Sequence, residues 1–134
     1  MSSSLSSTEL LDLSGLTCTD PAAAAPHPQE QAVAYVDAAS GNAVVCGGYS
    51  YEDGANTDYD SCMEYDAGTN SWALSMAFPA LLEKRFGAAG ALFDDDAAGT
   101  QFWVTGGRNL KSGILQTSEI ISGLAPSVPG TTYV

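Results

Sequence analysis

Val44-Val45-Cys46-Gly47-Gly48 and Trp103-Val104-Thr105-Gly106-Gly107 are each a short apolar run closed by a pair of glycines. An echo of this kind marks copies of one unit, and repetition decides an architecture before any other feature does. Outward from the first run, Ala32-Val33-Ala34-Tyr35-Val36 precedes it across the turn cluster Ala39-Ser40-Gly41-Asn42, which predicts a hairpin. Beyond the glycines, Tyr49 to Ser61 reads as a polar loop. Cys62-Met63-Glu64-Tyr65 is a third strand, stopped by Asp66-Ala67-Gly68-Thr69-Asn70, and Ser71-Trp72-Ala73-Leu74 is a fourth. No stretch holds helical periodicity for three turns, so the expected class is all-β.

Four antiparallel strands in succession make a meander, the blade of a propeller. The pattern then restarts. Phe86 to Phe93 reads as a first strand, Asp94 to Gly99 as its turn, Gln101 to Thr105 as a second strand and Ser118 to Ile121 as a third. The tail from Gly123 to Val134 is rich in Pro and Gly, with at most a short strand at Thr132-Tyr133-Val134. A partial copy also precedes the full one: Thr8 to Asp12 resembles Ser118 to Ile121. Glu9, Glu64 and Glu119 are spaced by 55 residues and the glycine pairs by 59. That period is slightly above the ~40–50 residues usual for propeller units, and the long Tyr49 to Ser61 segment absorbs the excess. Pro21 to Pro28 reads as a linker.

The order of these features resembles the Kelch motif: an apolar run, Gly47-Gly48, a variable loop, Tyr65-Asp66, then Trp72. Arg85 sits where that family often has an arginine opening the next repeat. The resemblance covers roughly Gln31 to Ser122. In the second copy Gly106-Gly107 is present, but Ile120-Ile121 stands where Tyr-Asp belongs and no Trp follows. No arginine precedes the first copy, where Gln29-Glu30-Gln31 stands. The resemblance implies a fragment of a Kelch-type β-propeller with four-stranded antiparallel blades, about two of them. Residues 1–30 would be the end of a preceding blade plus the Pro/Ala-rich linker, 31–76 a complete blade, 86–122 a partial second blade and 123–134 a tail. A closed propeller takes about 4–8 blades. The chain is therefore expected to need further blades, or copies of itself, to cover its apolar faces and sheet edges.

Composition bounds the partners. The 134 residues carry a formal charge of −12, with Lys84, Arg85, Arg108 and Lys111 as the basic residues. Phosphate backbones and anionic membrane surfaces both demand clustered Lys and Arg, so neither nucleic acid nor membrane is an expected partner. No apolar run approaches the ~20 residues of a membrane helix. Met1 to Thr8 is Ser-rich, without a basic residue or an apolar core, and predicts no signal peptide. Cys46 ends one apolar run and Cys62 opens the next, so the two are placed for a disulfide or for packing as small hydrophobes. A bridge would imply an extracellular or lumenal setting; without it the cytoplasm is the expectation.

Chemistry is sparse. His27 is the only histidine and lies between two prolines, so neither a catalytic dyad nor a zinc or copper site is expected. Asn56, Asp58 and Asp60 alternate like the first ligands of a calcium loop, but Ser61 and Ala67 stand where its glycine and closing acid belong. No cofactor, no metal and no catalysis are expected. The predicted function is that of a non-catalytic Kelch-type protein-binding or scaffold module. The alternatives are the propeller portion of a carbohydrate-active or galactose-oxidase-like enzyme, and an incomplete fragment without independent function. The loops Tyr49 to Ser61, Met76 to Lys84 and Arg108 to Gln116 are expected to share one face. In the first, Tyr49, Tyr51 and Tyr59 offer contact area, and Glu52, Asp53, Asp58 and Asp60 select a basic protein partner. Gly47, Gly48, Tyr65, Asp66, Trp72, Arg85, Gly106 and Gly107 read as structural.

Overall fold

The computed structural model describes residues 4–12, 14–15, 17–19, 24–75, 80–95 and 99–124. In chain order its strands are β1 (Leu10–Asp12), β2 (Thr17–Thr19), β3 (Val33–Val36), β4 (Ala43–Cys46), β5 (Tyr49–Glu52), β6 (Ala55–Asp58) and β7 (Cys62–Asp66). They are followed by β8 (Ser71–Leu74), β9 (Ala89–Asp95), β10 (Gly99–Thr105), β11 (Arg108–Asn109), β12 (Gly113–Ile114) and β13 (Ser118–Leu124). The protein is all-β, with no helix among the described residues and every strand pairing antiparallel.

The first large sheet is the four-stranded meander β3-β4-β7-β8 read from the sequence. The second has three strands in the order β13-β10-β9, and the expected strand at Thr132 to Val134 lies outside the described residues. β1 pairs with β2 as a separate two-stranded piece. Two expectations are corrected. Tyr49 to Ser61 is not a loop but carries the hairpin β5-β6, and Arg108 to Gln116 carries the smaller hairpin β11-β12. The second sheet opens at Ala89 rather than Phe86, because Phe86 makes a single bridge to Arg108 instead.

The repeat is visible in the hydrogen bonds. Gly47 N–H donates to the Ser61 carbonyl and Gly106 N–H to the Thr117 carbonyl, both at 3.0 Å. Glu30 bridges Tyr49 in the first copy as Phe86 bridges Arg108 in the second. The next residue of each copy, Gln31 and Gly87, has positive φ (58° and 62°). These pairs fix an offset of 56 outside the glycine runs. The turn after the first strand is three residues longer in the second copy and the inserted hairpin three residues shorter, so the glycine pairs fall 59 apart and the frame is then restored. This corrects the 55-residue glutamate spacing: Glu119 is the counterpart of Met63, not of Glu64. A slip of one position on a strand moves a side chain to the opposite face.

Cross-strand register assigns the faces. Val33, Tyr35, Val44, Cys46 and Cys62 share one face of the first sheet. They form the core with Phe102, Val104 and Ile121 of the second, with Leu81 and partly buried Leu92 joining them. Burying each large side chain contributes about 1.5–3 kcal/mol. β3 lies against β9, and the approach is close: a Cβ on Gly90 would stand 2.8 Å from the Phe102 ring and 3.1 Å from Val33. Each sheet has a second face. On the first sheet it carries Ala34, Val36, Ala43, Val45, Met63, Tyr65, Trp72 and Leu74. On the second it carries Ala89, Ala91, Phe93, Gln101, Trp103, Thr105, Ser118 and Ile120. None of these sixteen residues is charged, and the same row of β9 ends at Asp95, opposite Gly99.

Candidate protein-binding face

The hairpin β5-β6 projects from the end of the first sheet, and its root is covalent. Cys46 and Cys62 face each other across β4 and β7, with Cα atoms 4.1 Å apart, and are joined as a disulfide. Every residue of the hairpin lies between them in sequence. At the tip, Asp53 and Gly54 both take positive φ (49° and 84°), the backbone of a two-residue turn that matches strand twist. In the second copy Thr105 and Ser118 replace the cysteines, and their hydroxyls meet at 2.8 Å.

The residues read from sequence as a partner-binding loop divide into two groups. Glu52 and Asp53 are exposed, and Tyr51 and Asp60 are partly so. Tyr49, Tyr59 and Asp58 are committed internally. Tyr49 packs on Phe86 at 5.1 Å and donates its hydroxyl to Asn56. Tyr59 stacks on His27 at 3.8 Å, and its hydroxyl lies 2.8 Å from that of Ser50. Asp58 is buried; its carboxylate accepts the Leu110 N–H at 2.9 Å and faces Lys84 Nζ at 3.8 Å. It therefore holds the second hairpin against the first. Among the described residues no group of three His, Cys, Asp or Glu is placed to hold a metal ion.

The structure brings the three loops together, residues 76–79 lying outside those described. Leu81 N–H donates to the Asp60 carbonyl at 2.8 Å, and Asn109 Nδ2 to Glu83 at 3.2 Å. Between them lies a cleft of about 590 Å³, lined by Leu82 and Leu110 with the charged residues Asp58, Asp60, Glu83, Lys84 and Lys111 around them. Leu82 is 94 % exposed, and Leu110 and Ile114 are exposed as well. The sequence reading missed these aliphatics, since a lone leucine in a loop carries no periodic signal. It also missed His27, which belongs to no free linker: its Nε2 lies 3.4 Å from Ser61 Oγ. No carboxylate among the described residues partners its buried Nδ1, so this pair lacks the third group that orients a catalytic base.

Gly47, Gly48, Gly106 and Gly107 all have positive φ. Tyr65 is buried, packs on Trp72 at 5.2 Å and donates its hydroxyl to Asn70 at 2.7 Å. Trp72 is half-buried, and its indole N–H donates to Thr8 Oγ1 at 2.9 Å. Asp66 shapes the β7-β8 turn; hydrogen bonds from the Thr69 hydroxyl, then from the Gly68 and Thr69 N–H groups, hold its carboxyl below the ordinary value. Arg85 is fully buried. Its guanidinium pairs with Glu119, donates to the Gly106 carbonyl at 2.8 Å and reaches Thr117 Oγ1 at 3.2 Å. Glu119 accepts in addition the N–H groups of Leu82 and Glu83. One ion pair thus anchors the loop 81–85 to the second sheet.

No protein-family model matches the chain, and no curated protein matches it in sequence. Among the described residues no helix is long and apolar enough to cross a membrane.

Proposed function

We propose that this chain is a non-catalytic protein-binding or scaffold module, built as about two blades of a Kelch-type propeller, and that its loop face takes a basic partner segment bearing an apolar anchor. The observation that carries this reading is the cleft between the hairpins. Asp58, Asn109 and the Arg85–Glu119 pair fix its walls, leaving Leu82 and Leu110 exposed in a rim where the carboxylates of Asp58, Asp60 and Glu83 outnumber the lysines Lys84 and Lys111. Apolar anchors inside a charged rim are the usual anatomy of a protein-binding surface, and the rim charge sets which partners are admitted. The two stacked sheets and their repeated hydrogen bonds support the propeller reading. The buried Cys46–Cys62 bridge supports an oxidising, extracellular or lumenal setting.

The test is fluorescence anisotropy with labelled peptides of equal hydrophobicity and opposite charge. The basic amphipathic peptide should bind, the acidic one should not, and raised salt should weaken binding. A Leu82→Ser/Leu110→Ser chain should lose at least tenfold in affinity. Equal binding of both peptides, or full binding by that variant, would refute the assignment.

A further inference from the structure

We infer that the hairpin β5-β6 is flanked on its N-terminal side by a second anchor pocket, and that the partner segment engages both pockets, carrying a second apolar anchor. The inference rests on the reading of the loop face as a protein-binding surface and specifies what that surface takes. The second pocket is a cleft of about 670 Å³, lined among others by Leu5, Glu30, Tyr49 and Tyr51.

Its walls are built as those of the cleft between the hairpins are. There, Leu81 N–H donates to the Asp60 carbonyl at 2.8 Å, Arg85 N–H to the Tyr59 carbonyl at 3.2 Å and Leu110 N–H to the Asp58 carboxylate at 2.9 Å. Around the N-terminal cleft, Ala25 N–H donates to the Ser6 carbonyl at 2.8 Å, Gln29 N–H to the Leu5 carbonyl at 3.3 Å and Tyr51 N–H to Ser4 Oγ at 2.9 Å. Ser4, Leu5 and Ser6 thus stand for Asp58, Tyr59 and Asp60 at a spacing of 54, while Ala25 to Gln29 stands for Leu81 to Arg85 at the spacing of 56. Tyr51 stands for Leu110 at 59, the spacing of the glycine pairs. Three bonds on corresponding residues make the N-terminal cleft an earlier copy of the other.

The two clefts are neighbours. Tyr49 lines one and Asp58 the other, and these residues are cross-strand partners on one face of the hairpin. Such partners stand about 5 Å apart, so a single extended segment laid across the hairpin reaches both hollows. Leu5 is 73 % exposed in the N-terminal cleft, as Leu82 and Leu110 are exposed in the other. Among the described residues lining the N-terminal cleft Glu30 alone is charged, and its carboxylate accepts the Ser4 hydroxyl at 2.6 Å. The second anchor therefore meets leucine and tyrosine surface with one acid beside it. The basic residues of the segment are drawn to the other cleft, where Asp58, Asp60 and Glu83 stand. Linking two weak contacts makes the second one intramolecular, with gains in avidity of about 10²–10⁴-fold where both are engaged at once.

Fluorescence anisotropy on the full chain tests this with lysine-bearing peptides that carry either one leucine or two, the two set at increasing separations. At one separation the two-leucine peptide should bind at least tenfold tighter than the single-leucine peptide. Leu5→Ser and Tyr51→Ser should each bring that peptide down to the affinity of the single-leucine one. Should Tyr51→Ser misfold by circular dichroism, Leu5→Ser, a change at an exposed side chain, carries the test. No gain at any separation, or a gain that survives the substitutions, overturns the inference and leaves the loop face a single-anchor surface. Failure of every lysine-bearing peptide to bind overturns it together with the reading on which it rests.

Discussion

Exchanging the Arg85–Glu119 pair for its counterparts in the other copy tests the repeat at its most costly point. The equivalent residues of the first copy are Gln29 and Met63, so nature places an ion pair at one site and a neutral pair at the other. Arg85→Gln leaves the Glu119 carboxylate, 9 % exposed, with only the Leu82 and Glu83 N–H groups. Glu119→Met leaves a guanidinium, 1 % exposed, with the carbonyls of Gly106 and Thr117, the Thr117 hydroxyl and the more distant Glu83 carboxylate at 3.8 Å. Stranding one charge of a buried pair costs about 3–5 kcal/mol. Taking about 3.5 kcal/mol for each single change, independent sites would lose about 7 kcal/mol together. The double variant strands no charge and should lose about 4 kcal/mol, a coupling of about 3 kcal/mol. Urea unfolding followed by tryptophan fluorescence reads this directly. At a slope near 2 kcal/mol/M each single change lowers the midpoint by roughly 1.8 M, and the double by little more. Additivity within about 0.5 kcal/mol would refute the reasoning, since it would mean that the two groups do not depend on each other.

Gly47→Ala and Gly106→Ala should differ although both glycines have nearly the same φ (68° and 66°). Both lose about 1–2 kcal/mol to left-handed backbone, but a Cβ at Gly47 meets the Arg85 carbonyl oxygen at 2.6 Å, while at Gly106 nothing lies nearer than 4.0 Å. Gly47→Ala should therefore cost a further 1–3 kcal/mol or so, and equal midpoints would contradict the close approach. Thiol titration of the denatured, unreduced chain should find one thiol, that of Cys18, which is outside the disulfide. Cys46→Ala/Cys62→Ala should lose about 3 kcal/mol for a loop of this length, and three titrating thiols would remove the bridge. Burial, with the charges of Asp37 and Glu64 behind it, pushes the Tyr35 phenol above its ordinary value of 10.0. A raised folded-state value contributes stability that is whole below pH ~10 and fades as pH climbs past it. Tyr35→Phe should flatten the alkaline limb of stability against pH, and an unchanged slope would count against the burial.

Strands with apolar alternation were legible in the sequence, and β3, β4, β7 and β8 fall where the pattern put them, within a residue or so at each end. The hairpin β5-β6 was not, although Asp53-Gly54 is a strong turn signal. Its flanks, Tyr49–Glu52 and Ala55–Asp58, are polar because the hairpin stands away from the core, and hydrophobic periodicity is silent about such a strand. The glutamate spacing misled for a related reason. Identity of residue type over 55 positions looked like a period, whereas only backbone hydrogen bonds showed that β7 and β13 are offset by 56. Of the candidate site, the acidic tip at Glu52 and Asp53 was readable. The apolar element was not, because the exposure of Leu82 follows from Arg85 and Glu119 pinning the backbone on either side of it. That is a long-range fact, held in no local stretch of sequence.

The two projecting hairpins are unequal as levers. A pull on the tip at Asp53 passes into β4 and β7 through a sulfur–sulfur bond, whereas the same pull on the second hairpin is resisted at Thr105 and Ser118 by two hydroxyls that can part and rejoin. The Asp58 carboxylate ties the stiff arm to the yielding one at Leu110. Any guest wedged between them would bend the second arm and leave the first where it stands.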